Sequence, residues 1–175
     1  MCGIAGIISD NENHLRSIDS MVKVMEHRGP DDTGSYCSLP VAFGQNRLSI
    51  IDLAGGHQPM LSADKSQILI FNGEIYNYKE LTRELEGKGY VFQTKSDSEV
   101  LLHLYAAYGP GMLSLLNGMF AFAIYDLKKQ EVFIARDRLG VKPIYYYEKN
   151  GIIAFASEIQ ALRAMPEINQ SLTIN

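Results

Sequence analysis

"GMFAFAIYDLKKQEVFIARD" (118–137) decides the fold class. An apolar run, "GMFAFAIYD" (118–126), meets four turn residues, "LKKQ", and returns as "EVFIARD" (131–137). Two such runs joined by a short polar turn predict an antiparallel pair of strands. The pattern recurs downstream, where "PIYYYEK" and "IIAFASE" flank Asn150-Gly151, a strong two-residue hairpin signal. Upstream, "GIAGIIS" (3–9) and "QILIFNG" (67–73) are short apolar runs of buried-strand type. Further strands are predicted over 34–38 and 41–51.

Helices interrupt this pattern mainly in the first two thirds. Leu15, Ile18, Met21, Val22 and Met25 recur at three- and four-residue spacing and predict one helix over about 13–27. "HRGPDDTG" (27–34) stops it, because Gly29 and Pro30 break helices and Asp31 and Asp32 suit turns. A second helix is predicted over about 77–87, with Asn77 as its cap and Leu81 and Leu85 on its core face. A third runs over 96–109; Ser96 and Glu99 have capping-box spacing, and Gly109-Pro110 ends it. A helical turn follows near 111–116, and "SEIQALRA" offers a second capping box, Ser157 with Gln160. Strands of mainly antiparallel type broken by a few helices give an α+β protein with two packed sheets. The expected domain covers 1–165, and 166–175 has the composition of a linker.

The chain has 175 residues, enough for one domain with a sizeable core. Hydrophobic residues make up 46%, too many for a disordered chain. Sixteen basic and 20 acidic residues give a net charge of −4 without long runs of one sign. Neither a nucleic-acid surface nor a polybasic membrane patch is indicated. No stretch approaches the roughly 20 apolar residues of a membrane span. The opening residues lack a basic segment and reach Asp10 quickly, unlike a signal peptide. Two cysteines, Cys2 and Cys37, do not make a disulfide framework. A cytoplasmic protein is expected.

Four histidines, 14, 27, 57 and 103, show no ligand spacing, so no metal site is expected. Phosphate-loop, dinucleotide and serine-hydrolase signatures are absent. Weight therefore falls on Cys2. If Met1 is trimmed, the Cys2 thiol lies beside a free α-amine, whose pKa of about 7.7–8.0 lets it act as a base near neutrality. In "FNGEIYN" (71–77) the chain is expected to turn through Asn72-Gly73 into a helix. An Asn72 amide and a Gly73 N–H are two donors suited to a developing oxyanion. Each stretch also has a plainer reading: Cys2 as a small buried hydrophobe, Asn-Gly as a simple turn. Arg47 stands in an otherwise apolar strand, a costly place unless it meets an anion such as a carboxylate. The alternative is a strand-edge arginine facing solvent. Asp97 opens a helix, where it either helps the cap or receives an ammonium group. Together these residues would suit an α-amino acid with an amide side chain.

"MCGIAGI", "HRGPDDTG", "RLSIIDL", "FNGEIYNYKEL", "SDSEVLLHLY", "GMFAFAIYD", "ARDRLGVKPIYY" and "FASEIQAL" closely resemble the glutaminase domain of glutamine-hydrolysing asparagine synthetases. That family belongs to the class II glutamine amidotransferases, which are N-terminal nucleophile hydrolases. The resemblance implies a four-layer αββα sandwich of two antiparallel sheets. It implies Cys2 as nucleophile and Asn72 and Gly73 as oxyanion hole. Arg47 would hold the glutamine α-carboxylate, and Glu74 and Asp97 its α-amino group. The backbone of Leu48, Ile50 and Ile51 would line the pocket, with Arg28 behind it. No cofactor is implied for this domain; ATP and magnesium belong to the family's C-terminal ATP-pyrophosphatase domain, whose S-G-G-x-D-S loop the chain lacks. The implied partners are L-glutamine and that synthetase domain, and exposed apolar surface would allow a homodimer. One departure stands out: Gln45-Asn46 precedes Arg47 where the family often has a histidine. Two further readings stay open: a glutamine-binding module that is inactive while Met1 is retained or its partner domain is missing, and an amidotransferase for an acceptor other than aspartate. A structural domain with an incidental Cys2 is the bland third.

Overall fold

The computed structural model describes residues 1–48 and 56–169. The chain divides into two compact units, 1–48 with 143–175 and 49–142.

The first unit is built on a five-stranded antiparallel sheet ordered β2-β3-β1-β9-β8. Its strands are β1 (Gly3–Ile8), β2 (Asp32–Ser38), β3 (Val41–Arg47), β8 (Tyr145–Lys149) and β9 (Ile152–Ala156). The Asn150-Gly151 turn joins β8 to β9, with Asn150 and Gly151 both at positive φ. Alternation sorts the side chains, so Ala5, Ile7, Ala42, Ala154 and Ala156 form one face. That face packs on α2 (Ile18–Val24) and α5 (Ile159–Arg163) through Ile18, Met21, Val22 and Leu162. Small residues on the strands leave room for the helices: a Cβ on Gly44 would lie 2.3 Å from a Val22 methyl.

The single helix expected over 13–27 is instead α1 (Glu12–Leu15), α2 and a 3₁₀ turn, Glu26–Arg28. The apolar stripe is buried as expected, but periodicity reports a face and not continuity of the backbone. The second capping box does not form: α5 is capped by Glu158 without a side-chain bond, and the Ser157 hydroxyl instead accepts the Ile4 N–H at 3.0 Å. After α5, α6 (Pro166–Asn169) forms a helical turn, and Ile168 is buried in the first core.

The second unit carries a four-stranded antiparallel sheet ordered β4-β5-β6-β7. Its strands are β4 (Met60–Leu61), β5 (Gln67–Ile75), β6 (Gly118–Asp126) and β7 (Glu131–Arg136). The hairpin read at 118–137 is present, with Gln130 at positive φ in its turn. Leu69, Phe71, Phe120, Phe122 and Ile124 share one face. They pack on α3 (Tyr78–Gly87) and α4 (Asp97–Tyr108) through Leu81, Leu85, Val100 and Leu101.

Asn72 and Gly73 lie inside β5, not in a turn, because the strand runs on to Ile75. Asn77 precedes α3 without a capping bond. Its amide instead donates to the Leu115 carbonyl at 3.0 Å and accepts the Asn117 N–H at 3.0 Å. The box at α4 is half formed. Ser96 accepts the Ser98 N–H, whereas the buried Glu99 carboxylate accepts the Gln93 and Thr94 N–H groups of the preceding segment.

Candidate active site

In the first unit the chemistry gathers where β1 begins and β3 ends. The register pairs Gly3 with Asn46, so Cys2 comes next, opposite Arg47. Both lie on the sheet face away from the helices, because Asn46 and Gly3 take the other face. Cys2 is half-buried, and its thiol donates to the Leu48 carbonyl at 3.7 Å. Arg47 is 7% exposed, an unusual depth for a guanidinium.

The "HRGPD" segment fits around this point. Arg28 Nε donates to the Cys2 carbonyl at 3.0 Å, and its Nη1 to Glu158 Oε1 at 2.9 Å. His27 Nε2 lies 3.0 Å from the same carboxylate oxygen. Burial pushes the Glu158 carboxyl up, but its bonds to Arg28 and His27 outweigh that and hold it below the usual glutamate range. Gly29 runs against the β3 backbone: a Cβ there would stand 2.5 Å from the Asn46 and Arg47 carbonyl carbons. Pro30 bridges to Arg47, and the Asp31 N–H donates to the Arg47 carbonyl at 3.1 Å. The Asn46 amide, part of the Gln45-Asn46 departure noted in the sequence, donates to Thr33 Oγ1 at 3.3 Å. That departure therefore lies on the helix side of β3, off the face Arg47 uses. Cys37 is a free, exposed thiol on β2.

In the second unit the chemistry lies along β5. Phe120, opposite Gly73, donates its N–H to Asp137 Oδ2 at 3.2 Å and accepts the Asp137 N–H at 2.8 Å. Both polar groups of Phe120 thus point toward β7. A strand residue directs its N–H and C=O to one side, so Gly73 and Phe120 form a non-hydrogen-bonded pair. Gly73 therefore turns its N–H outward, away from β6. Phe71 and Ile75 turn theirs the same way and are taken: Gln58 Oε1 accepts from Phe71 at 2.6 Å and Asp97 Oδ2 accepts from Ile75 at 3.1 Å. Gly73 lies between these two plugged positions. Only glycine fits, since a Cβ would meet the Met119 carbonyl at 2.3 Å and the Phe71 ring at 2.7 Å.

The Asn72 side chain leaves on the opposite face. It is 1% exposed, and its Nδ2 has no hydrogen-bond partner among the described residues. A buried amide donor left unpaired costs about 1–3 kcal/mol, so its presence calls for a ligand or another explanation.

Asp97 is buried at the first turn of α4. Burial pushes its carboxyl above the usual aspartate range and nearby Glu74 adds to that, while N–H bonds from Ile75, Ser98 and its own backbone pull the other way. A buried carboxylate in that state gains from a cationic partner. Glu74 is half-buried on β5. Ile50 and Ile51 lie outside the described residues.

Two groups escaped the sequence reading. Gln58, beside a cis Gln58-Pro59 bond, is buried and also donates from Nε2 to Ser98 Oγ at 3.0 Å, joining the β5 edge to the start of α4. Glu158 was hidden inside a pattern read as a helix cap.

Comparison with known proteins bears on what these groups do. Residues 1–175 match the family described as "Glutamine amidotransferase domain". The chain belongs to this family. Asparagine synthetase (glutamine-hydrolyzing) 3 of Bacillus subtilis (strain 168) is 41% identical over 173 residues, covering 96% of this chain and 28% of that protein. Asparagine synthetase B (glutamine-hydrolyzing) of Escherichia coli (strain K12) is 43% identical over 166 residues, covering 93% of this chain and 30% of that protein. This amidotransferase domain thus spans less than a third of the length of those relatives. Among solved structures, glutamine phosphoribosylpyrophosphate amidotransferase from B. subtilis, complexed with ADP and GMP, is similar with a TM-score of 0.80. It is 25% identical and covers 94% of this chain and 43% of that one. Among the described residues no helix is long and apolar enough to cross a membrane.

Proposed function

We propose that the chain hydrolyses L-glutamine to glutamate and ammonia through a thioester on Cys2. The observation that carries this reading is the anchoring of Cys2, thiol to Leu48 and carbonyl to Arg28, in a chain matched end to end by the amidotransferase family.

Met1 is 59% exposed and open to removal. Once it is gone, the Cys2 α-amine takes the thiol proton, directly or through one water. The thiolate attacks the side-chain amide carbon of glutamine. The Asn72 Nδ2 and Gly73 N–H receive the oxyanion, a contribution of about 2.7–4 kcal/mol for one such donor in other enzymes. The α-ammonium returns the proton to the departing ammonia, and water then cleaves the γ-glutamyl thioester. Arg47 pairs with the substrate carboxylate, and Asp97 with Glu74 holds its ammonium. An occupied Asp97 gains the counter-charge its burial calls for, and an oxyanion gives the Asn72 amide its missing acceptor.

The likeness to asparagine synthetases supports ammonia delivery to a C-terminal ATP- and magnesium-dependent synthetase domain that amidates aspartate. An acceptor carboxylate other than aspartate would leave every residue above in the same role.

The test is glutamate release from glutamine by the chain and by Cys2→Ala, with intact mass taken on the same samples. Glutamate from the chain lacking Met1, and none from Cys2→Ala, is the expected result. Glutamine binding without glutamate, in chain lacking Met1, would replace the hydrolase with a binding module.

A further inference from the structure

Glu158 stands 130 positions from Arg28 and 156 from Cys2 in the sequence, yet it is one bond removed from the nucleophile's own peptide. Its Oε1 accepts from Arg28 Nη1 at 2.9 Å, and Arg28 Nε donates to the Cys2 carbonyl at 3.0 Å. The Arg28 side chain is 10% exposed, and its Nη2 is buried with no partner among the described residues. A guanidinium this deep is costly without a counter-charge, and Glu158 supplies it. Gly3 leaves room for this side chain, since a Cβ there would stand 3.3 Å from the Arg28 Cδ. The neighbouring Ser157, just after β9, grips the start of β1: it accepts the Ile4 N–H at 3.0 Å and donates its own N–H to the Ile4 carbonyl at 2.9 Å.

We propose that Glu158 is a positioning residue: by fixing the Arg28 fork it fixes the Cys2 peptide plane, and with it the direction from which the thiolate attacks. This rests on the hydrolase reading above. It separates Arg28 and Glu158 from substrate binding, since neither contact involves a group assigned to glutamine. Misplacing a nucleophile by about 1 Å costs up to roughly 10²-fold in rate.

The test uses Glu158→Ala, Glu158→Gln, Arg28→Lys and the Glu158→Ala/Arg28→Lys double variant, all in a Cys37→Ser background that leaves Cys2 as the sole thiol. Glutaminase kcat and KM, iodoacetamide alkylation of Cys2 and thermal melting are measured on each. Glu158→Ala is expected to lower kcat about 10- to 100-fold with KM within twofold. Glu158→Gln, which keeps an acceptor for Arg28, should recover part of the loss. Lysine cannot reach both acceptors, so Arg28→Lys should match Glu158→Ala, and the double variant should be no worse than either. Alkylation rates at Cys2 should shift in the same order. A kcat within twofold of the parent in Glu158→Ala, additive losses in the double variant, or losses that follow the unfolded fraction would each overturn the proposal. If the parent chain itself makes no glutamate, the hydrolase reading fails, and alkylation still reports whether Glu158 controls Cys2.

Discussion

Cys2 and Arg47 stand at the end of a sheet and are held from outside it, by Arg28, Glu158 and the backbone of the "HRGPD" segment. Asn72 and Gly73 lie inside β5 and need no such brace, because the β6 ladder already fixes them. What the β5 edge needs is subtraction: Gln58 and Asp97 occupy the N–H groups on either side of Gly73. The first region is therefore expected to tolerate changes that spare its tethers. The second should tolerate almost none in its backbone, yet allow the Asn72 amide, which has no partner among the described residues, to be removed at little cost in stability.

Removal of the thiol has the largest expected effect. Cys2→Ala should lower glutamine turnover by at least about 10³-fold, as loss of a nucleophile does elsewhere, without lowering the melting temperature. Next comes Asn72→Ala, which should lower kcat about 10²- to 10³-fold. It deletes a donor with no partner among the described residues, so melting should move far less than for loss of a satisfied buried bond. A large drop in stability there would erase the contrast between the two regions.

Gly73→Ala sharpens it from the other side. A Cβ 2.3 Å from the Met119 carbonyl must push β5 off β6, which should cost about 1–3 kcal/mol of stability as well as activity. Chemical denaturation measures it, and an unchanged midpoint would mean β5 has slack. Arg47→Lys keeps the charge but loses the paired hydrogen bonds, so KM for glutamine should rise about tenfold.

The smallest effect is the pH dependence of glutamine affinity. Asp97 has a carboxyl pKa raised in the empty protein, and an ammonium ligand favours its ionised form. Binding should release a proton, and affinity should fall as pH drops through that raised pKa, above the model-peptide range of about 3.9. For stability the sign is opposite. A raised folded pKa means ionised Asp97 destabilises the fold above that pKa, and the cost is relieved as pH falls. Asp97→Asn should thus weaken glutamine binding, flatten its pH profile and leave neutral-pH stability equal or higher. Calorimetric titrations in two buffers of different ionisation heat would measure the proton release.

Elements whose pattern is local were legible in the sequence. The strand 118–126 has its observed bounds because a continuous apolar run and a short turn both point the same way. Asn72-Gly73 was legible as chemistry and misread as structure. Asn-Gly favours turns, but close packing on β6 keeps both residues in β5. Ser157 and Glu99 show the other limit. Each sits at cap spacing, yet each spends its side chain elsewhere, on Ile4 in one case and on Gln93 and Thr94 in the other. The bracing of Cys2 was out of reach for the same reason, since spacing within one helix says nothing about a partner 130 residues away.

The most direct measurement is the mass of Cys2 itself during turnover. The chain is mixed with glutamine, quenched in acid and digested, and the N-terminal peptide is weighed. The expected result is a peptide beginning at Cys2 and carrying one γ-glutamyl group, absent from Cys2→Ala. Glutamate production at the parental rate by Cys2→Ala, or turnover in a chain whose Cys2 still follows Met1, would contradict the account.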